Sequence, residues 1–204
     1  HGRDRRQRQM CIRDRILILK TSIALKSFND KGALRPTLAV SLSMQHNKAL
    51  DKELSAIRRF LLPRWQEKHA MYEKLGVAVK GGPFATPDKS MCKFTSVFLE
   101  TALPALGLVD AELAMGHVVN ERGERFSHHW ITADDDYIID LTAAQFGGPE
   151  MVYTSSSSDV YESMPSSPSL EDALYDAREA VDCTVSEWLD DFFTQFSLHS
   201  DTSL

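Results

Sequence analysis

Residues 126–142 read FSHHWITADDDYIIDLT. They consist of two apolar segments on either side of three aspartates, and the prediction of the fold starts from them. The segments on either side of the three aspartates are rich in aromatic and β-branched residues, which favour strands. Aspartate favours turns, because its side chain can bond its own backbone. The stretch therefore predicts two strands, 126–132 and 137–142, paired as an antiparallel hairpin.

The segments before this hairpin extend the pattern. Residues 111–120 read as one more strand, which ends in a turn over residues 120–124. Residues 90–103 instead have apolar residues at helical spacing, namely Phe94, Val97, Phe98 and Leu103. A helix followed by antiparallel strands predicts an α+β fold, in which the cysteine-bearing helix packs on a small antiparallel sheet and other helices flank it.

Two helices are predicted nearer the start of the chain. The first has an apolar stripe with spacings of four, three and four, formed by Leu50, Leu54, Ile57 and Leu61. Pro63 is expected to end or bend this helix. A second, short helix over residues 65–75 is expected to end at Gly76, because glycine adopts the left-handed conformation of a helix cap. The apolar run 38–42 is interpreted as a short buried strand.

The composition is typical of an ordinary soluble protein. The chain has 204 residues, 43% of them hydrophobic and 25% charged, which is enough for one domain with a core. No apolar run approaches the ~20 residues that cross a bilayer, so no membrane partner is expected. The three cysteines are an odd and sparse set, which argues against a disulfide framework and favours a reducing, cytoplasmic compartment.

Residues 1–15 are set apart from the fold. They contain six arginines and two aspartates and end in MCIRDR, which resembles the translation of a sequencing-library adapter. We therefore interpret this segment as non-native or disordered, the alternative being a basic arm that binds anionic partners. Without its net charge of +4 the formal charge of the chain changes from -6 to -10. An acidic protein of this kind is a poor candidate for binding nucleic acid.

Cys92 is a candidate nucleophile. Asp88 or Ser90 can cap the helix that follows, which would place Cys92 in its first turn. Unpaired backbone N–H groups and the positive end of the helix dipole stabilise a thiolate at this position, and Lys93 adds a nearby cation. The alternative is a structural thiol, because free cysteine is among the most buried residue types.

The hairpin supplies a histidine and a carboxylate, which with Cys92 are the parts of a cysteine nucleophile, its base and the orienter of that base. Side chains alternate between the two faces of a strand, so the length of the loop decides which histidine faces Asp140. A loop with an odd number of residues, such as 134–136, places His128 on the face of Asp140, and a two-residue loop places His129 there. Asp140 lies among apolar residues, where a lone carboxylate is costly, so we expect it to be paired.

A metal site is the competing use of the same residue types. Zinc could be ligated by Cys92, His117, His128 or His129. However, the adjacent side chains of His128 and His129 point to opposite faces of one strand, so they diverge. No Cys-x-x-Cys or His-x-x-x-His spacing occurs. We therefore expect no metal and no other cofactor.

The chain resembles the transglutaminase-like branch of the papain-type cysteine enzymes in three features. These are Cys92 at a helix start, His128-x-Trp130 on a strand and Asp140 on the next strand. This branch includes transglutaminases, arylamine acetyltransferases and bacterial peptidases that trim leader peptides. The separations, 36 residues from Cys92 to His128 and 12 from His128 to Asp140, resemble those of its compact bacterial members. The resemblance covers about residues 85–148.

The resemblance also implies roles for individual residues. Its His-x-Trp pattern favours His128 as the base and leaves His129 as a substitute candidate. Trp130 and Gln145 are candidate pocket residues, and the alternative for both is core packing or strand-end polarity. Residues 138–146 are similar to a segment of uncharacterised bacterial proteins of this type. Residues 16–148 would then form the catalytic domain.

The chain after residue 148 changes in character. Residues 149–169 are rich in serine and proline and are interpreted as a linker or a long surface loop. Residues 170–198 predict an acidic amphipathic helix, whose apolar stripe consists of Leu170, Leu174, Ala177, Val181, Val185, Trp188, Phe192 and Phe196. From residue 150 onwards there are twelve acidic residues and one basic residue. This helix is expected to dock on the core or on a protein partner, and Cys183, near its stripe, is expected to be structural.

Two hypotheses for the function follow. The first is a thiol-dependent amide or peptide hydrolase, or an acyl transferase, that uses Cys92, His128 and Asp140 through a thioester intermediate. The alternative is a catalytically silent binding or adaptor module of the same fold, with the acidic terminal helix as its binding surface. Labelling of the thiol across pH discriminates between them, because a nucleophilic cysteine has a lowered pKa.

Overall fold

The computed structural model describes residues 36–134, 137–155 and 158–200, and the side chains of residues 50–134, 137–154 and 158–196. The segment 1–15 lies outside the described residues. In chain order the elements are α1 (Pro36–Lys74), α2 (Cys92–Ala105), β1 (Ala111–Val119), β2 (Arg125–Ala133), β3 (Tyr137–Asp140), a 3-10 turn (Ala143–Phe146), β4 (Val152–Ser155), β5 (Tyr161–Ser163) and α3 (Pro168–Ser200). The α+β class predicted from the sequence is confirmed.

The five strands form one curled sheet in the order β4-β3-β2-β1-β5, and every neighbouring pair is antiparallel. The hairpin predicted from the sequence joins β2 to β3. Ala133 pairs with Tyr137 and Ile131 with Ile139, so three residues lie between the two strands. The loop therefore has the odd length that places His128 on the face of Asp140.

One face of the sheet and the three helices enclose the main core. The sheet contributes side chains such as Ile131 and Ile139, while α2 contributes Phe98 and Leu103. The opposite face carries a smaller cluster, which consists of Val118, Trp130, Ile138, Phe146 and Tyr161. Both faces of β2 are therefore covered at its centre, where the neighbouring polar side chains of His128 and His129 are both buried.

Gly116 on β1 makes room for the smaller cluster. A Cβ atom at this position would lie 2.6 Å from the ring of Trp130 and 2.1 Å from the carbonyl oxygen of Glu162. Both separations are shorter than van der Waals contact allows, so no larger residue fits while β5 stays paired with β1. The glycine thus leaves room for the Trp130 ring beside β1.

The structure corrects the prediction for the first helices. α1 continues through Pro63 to Lys74, where the sequence predicted an end or a bend and then a second helix. Leu61 and Trp65, on either side of the proline, are both fully buried in the main core, and this burial offsets the hydrogen bond that proline removes. Residues 38–42 belong to the same helix and form no strand. Gly76 has a φ of +65°, as expected of a left-handed cap.

The structure also corrects the interpretation of residues 149–169 as a linker or surface loop. This segment contains both edge strands of the sheet, β4 beside β3 and β5 beside β1. Edge strands of four and three residues are stabilised by hydrogen bonds to the neighbouring strand, so they need little apolar character of their own.

α3 packs its apolar stripe on the main core. Phe196, at the end of the stripe, is 36% exposed. The residues of the stripe that are buried in the main core are Ala177, Val181, Val185, Trp188 and Phe192. Arg178 on α3 donates two hydrogen bonds to Glu100 on α2. None of the helices in the described part of the chain has the length and apolar character needed to span a membrane.

Candidate active site

His128 and Asp140 form a buried pair on neighbouring strands. The register of β2 and β3 places Trp130 opposite Asp140, so His128, two residues before Trp130, points to the same face as the carboxylate. The Nε2 atom of His128 lies 2.8 Å from Oδ2 of Asp140, and both side chains are at most 1% exposed. The hairpin therefore brings together the imidazole and the carboxylate that the sequence singled out.

Four donors surround the carboxylate of Asp140. Oδ1 accepts hydrogen bonds from the backbone N–H of Thr142 at 2.7 Å and from its hydroxyl at 2.8 Å. Oδ2 accepts one from His128 and one from the hydroxyl of Tyr161 at 2.9 Å. Burial raises the pKa of Asp140, but the charge of His128 and the hydrogen bonds from His128 and Thr142 outweigh it, so the pKa is lowered. Asp140 is an anion at neutral pH.

His128 is enclosed by aromatic rings. Phe146 meets its ring edge-on with centroids 4.7 Å apart, and Trp130 stacks on it at 6.1 Å. Burial lowers the pKa of His128, but Asp140 and Cys92 raise it by more, so the pKa reaches about 10. Its Nδ1 atom is buried and has no hydrogen-bond partner among the described residues. The imidazole thus has one nitrogen bound to the carboxylate and one left for a further proton-transfer partner.

Cys92 is the first residue of α2 and is half-buried. The helix is preceded by Met91 and has no side-chain cap in the structure, so the expected capping by Asp88 or Ser90 is wrong. Burial raises the pKa of the Cys92 thiol, but the neighbouring imidazoles, His128 more than His129, outweigh it and the pKa falls to about 6. The thiol therefore ionises below neutral pH, and an uncapped helix start adds to this effect.

His129 also lies at the thiol. Its Nδ1 atom is 4.0 Å from the sulfur of Cys92, the longest separation at which sulfur still makes a weak hydrogen bond. Alternation along β2 places His129 on the face opposite His128, where α2 packs. The thiol thus makes its weak hydrogen bond with His129, while both imidazoles lower its pKa. Of the two histidines, His128 is the one bonded to a carboxylate among the described residues.

Gln145 ties the loop before Cys92 to the turn after Asp140. Its Oε1 atom accepts hydrogen bonds from the backbone N–H groups of Gly82 and Ser90, each at 3.3 Å. Its amide nitrogen donates to the carbonyl oxygen of Thr142 at 2.9 Å. A Cβ atom on Gly82 would lie 1.9 Å from the carbonyl oxygen of Gln145, so the loop approaches this residue as closely as only glycine allows.

The loop also carries local strain just before the thiol. Ser90, two residues ahead of Cys92, has a φ of +63°, which costs a non-glycine residue about 1 kcal/mol or more. The hydrogen bond from its backbone N–H to Gln145 holds it in this conformation. The position of Cys92 is therefore imposed by contacts around it and does not follow from local backbone preference.

The structure bears on three expectations for single residues. Trp130 and Gln145, the candidate pocket residues, are 1% and 0% exposed, which favours the alternative that both are packed inside the protein. Trp130 packs beside His128 and Gln145 holds the loop. Cys183 is exposed, because it lies two residues from Val181 and so points away from the buried stripe of α3.

The sequence interpretation missed two partners of the carboxylate. Thr142 could have been found, since a threonine two residues after a buried aspartate can bond its side chain locally. Tyr161 could not, because it lies 21 residues away in a segment interpreted as a linker. Among the described residues, no group of three or more histidine, cysteine, aspartate and glutamate side chains is arranged to hold a metal ion.

Comparisons of the chain with protein-family models, with curated proteins and with solved structures find no match. A function must therefore be argued from the chemistry of the site, since folds by themselves do not define activities.

Proposed function

We propose that the protein is a thiol-dependent amide or peptide hydrolase, or an acyl transferase, with Cys92 as nucleophile, His128 as base and Asp140 as orienter. The observation that carries the proposal is the buried hydrogen bond between His128 and Asp140 beside a thiol whose pKa is about 6. With the pKa of His128 near 10, thiolate and imidazolium coexist at neutral pH. This is the reactive form of a cysteine nucleophile.

The acylation step uses this ion pair directly. The thiolate of Cys92 attacks the carbonyl carbon of an amide, and the imidazolium of His128 donates its proton to the departing amine as the C–N bond breaks. The product is a thioester on Cys92 and a free amine. Asp140 accepts the hydrogen bond from Nε2, so the proton that moves is the one on Nδ1.

The second step removes the acyl group. His128, now neutral, takes a proton from an incoming water or amine, whose oxygen or nitrogen attacks the thioester carbonyl. The C–S bond then breaks, which releases the acyl product and restores the thiolate of Cys92 beside the imidazolium. Water gives a hydrolase and an amine gives an acyl transferase. The negative charge that develops on the carbonyl oxygen in both steps would be stabilised by the backbone N–H of Cys92 at the uncapped start of α2.

The order of elements also supports a transglutaminase-like core. The thiol lies at a helix start, the histidine and aspartate lie on neighbouring antiparallel strands, and the helix packs on the sheet that carries them. This arrangement is the one that the sequence resemblance implies. A peptide or amide substrate is the partner that such a site would take.

The alternative, a silent binding module, places the function on α3. Its apolar stripe is buried in the main core, so the surface left for a partner is its acidic side, which includes Glu171, Asp172, Asp176, Asp182 and Glu187. Such a module has no need of a reactive thiol, so the state of Cys92 separates the two hypotheses.

The test is labelling with iodoacetamide across pH, with the modification at each cysteine followed by peptide mass spectrometry. Cys92 should react with a midpoint near pH 6, because the thiolate forms as the pH rises through its lowered pKa. Exposed Cys183 serves as the internal control that the reagent modifies an accessible thiol. A Cys92 that is inert, or that titrates near the ~8.5 of a free thiol, contradicts the proposal and favours the module.

Two matched variants identify the base. His128→Gln should move the midpoint of Cys92 far upward, since it removes the larger of the two imidazole effects, and His129→Gln should move it less. Acylation by p-nitrophenyl acetate should be lost in both Cys92→Ala and His128→Gln. With an amide substrate, whose amine leaves only when it is protonated, turnover of the wild-type protein should fall as the pH rises through about 10, where His128 loses its proton. The reverse order of the two histidine variants would assign the base to His129.

A further inference from the structure

We infer that Tyr161 is a positioning residue of the proposed site, whose hydroxyl fixes the carboxylate of Asp140 in the orientation that serves His128. This inference rests on the proposed function and adds to it a residue from β5. It also means that the segment after residue 148 completes the site.

The contact is specific in geometry. The hydroxyl of Tyr161 lies 2.9 Å from Oδ2 of Asp140, and Nε2 of His128 lies 2.8 Å from the same oxygen. The other oxygen, Oδ1, accepts hydrogen bonds from the backbone N–H and the hydroxyl of Thr142. A carboxylate offers about four acceptor positions, so all of them are used. Rotation of the carboxylate would break hydrogen bonds at both oxygens.

The ring of Tyr161 is held in place independently of its hydroxyl. It is 6% exposed, and it meets the ring of Trp130 edge-on with centroids 5.3 Å apart. On β5 it pairs with Val118 of β1. Removal of the hydroxyl alone should therefore leave the ring and the strand where they are.

The contact crosses the sheet. β5 and β3 are separated by β1 and β2 in the strand order, and the curl of the sheet brings Tyr161 over the shared face to Asp140. The phenol can donate throughout the range in which the site works, because burial and the neighbouring carboxylate of Asp140 raise its pKa. It has no other hydrogen bond that the structure describes, so its donor serves this carboxylate alone.

The physical consequence concerns the pair formed by His128 and the thiol. Without the hydroxyl, Oδ2 keeps only the imidazole as donor, and the carboxylate gains freedom to turn about its bond to the Cβ atom. A less firmly held imidazolium stabilises the thiolate of Cys92 less well. The inference therefore predicts an effect on the titration of Cys92, from a residue with which Cys92 has no described contact.

The experiment compares Tyr161→Phe with Tyr153→Phe in the full chain. Tyr153 lies on the other edge strand and stacks on Tyr137 with centroids 5.0 Å apart, so it is a matched control on the same sheet. In Tyr161→Phe the midpoint of Cys92 labelling should move upward by roughly half to one pH unit, and acylation by p-nitrophenyl acetate should slow by about tenfold. Tyr153→Phe should change neither.

A second comparison tests whether Tyr161 acts through Asp140. Added to Asp140→Asn, the Tyr161→Phe substitution should cause no further change in midpoint or rate, because the carboxylate it positions is gone. Full additivity of the two substitutions would overturn the inference. An unchanged midpoint in a folded Tyr161→Phe protein would also overturn it, since a packing role alone predicts lower stability with the same titration.

A measurement without a tyrosine variant covers the case in which Tyr161→Phe does not fold. With ¹³C at the ζ carbon of all tyrosines, one NMR signal should titrate at lower pH in Asp140→Asn than in the wild-type protein, because the carboxylate of Asp140 adds to burial in raising the pKa of Tyr161. Absence of such a signal would overturn the inference. Failure of the proposed function has a different signature, which is a wild-type Cys92 that titrates as a free thiol.

Discussion

At the scale of single residues, Asp140 is a buried charge that packing alone does not explain. The side chain of Asp140 is 1% exposed and its carboxylate loses nearly all of its hydration, which is costly unless charges and hydrogen bonds replace it. Here an imidazolium and three further donors replace it. A core built for stability alone would place an apolar residue at this position.

Asp140→Asn is therefore expected to lower turnover by orders of magnitude. The amide would present a donor to His128 and to the hydroxyl of Tyr161, both of which need an acceptor, so the imidazole would lose its orientation. In a comparable serine triad the same change lowers kcat by about 10⁴. Asp134→Asn is the matched control, because the exposed Asp134 accepts a backbone hydrogen bond that asparagine can also accept. Steady-state rates with p-nitrophenyl acetate provide the measurement, and equal losses in the two variants would contradict the triad.

At the scale of elements, the start of α2 is held by the turn after β3. Gln145 bridges the two through its side-chain amide, and Asp88 accepts a hydrogen bond from the backbone N–H of Gln145 at 3.3 Å. His69 on α1 contacts the carbonyl oxygen of Lys89 at 2.8 Å. Two elements, the turn after β3 and α1, thus fix the loop that positions Cys92, which explains how the strained Ser90 is maintained.

Gln145→Met should destabilise the protein by roughly 2–4 kcal/mol, because the backbone N–H groups of Gly82 and Ser90 lose their buried acceptor. Methionine has a similar length, so little cavity is created. The exposed Gln66 on α1 gives the control, and Gln66→Met should change stability by less than about 0.5 kcal/mol. Urea unfolding measures both. Equal stability of the two variants would show that the bridge contributes nothing.

At the scale of the whole molecule, the chain after residue 148 belongs to the same folding unit as the site. It supplies both edge strands of the sheet and the buried stripe of α3. The aromatic rings of this stripe meet those of the other helices, as in Phe94 with Trp188 at 5.7 Å and Phe98 with Phe192 at 5.4 Å. The main core is therefore incomplete without α3.

A chain that ends at Gly148 is expected not to fold. The loss of Trp188 or Phe192 alone should cost about 3–5 kcal/mol, against a total stability of about 5–15 kcal/mol for a typical domain. A chain that ends at Phe196 keeps every buried residue of the stripe and is the control. Thermal unfolding followed by circular dichroism should show a cooperative transition for the longer chain only. A cooperative transition in the shorter chain would restore the boundary at residue 148.

The sequence by itself determined the elements whose signal is local. Periodicity and turn chemistry within a few residues predict the apolar stripes of α1 and α3, a helix with Cys92 in its first turn, and the hairpin of β2 and β3. It also singled out Cys92, His128 and Asp140 as residues that could act together. Their catalytic roles remain a proposal.

The tertiary structure decided what depends on partners distant in the chain. The loop of three residues makes His128, and not His129, the partner of Asp140. The curled sheet brings Tyr161 to Asp140. Pairing at the two edges of the sheet forms strands from a segment whose composition is typical of a linker. Tertiary packing also buried Trp130 and Gln145, which support the proposed site, and left Cys183 exposed. The physical reason is that periodicity records which face of an element is apolar, whereas hydrogen-bond partners across a curled sheet depend on how all of its strands are arranged.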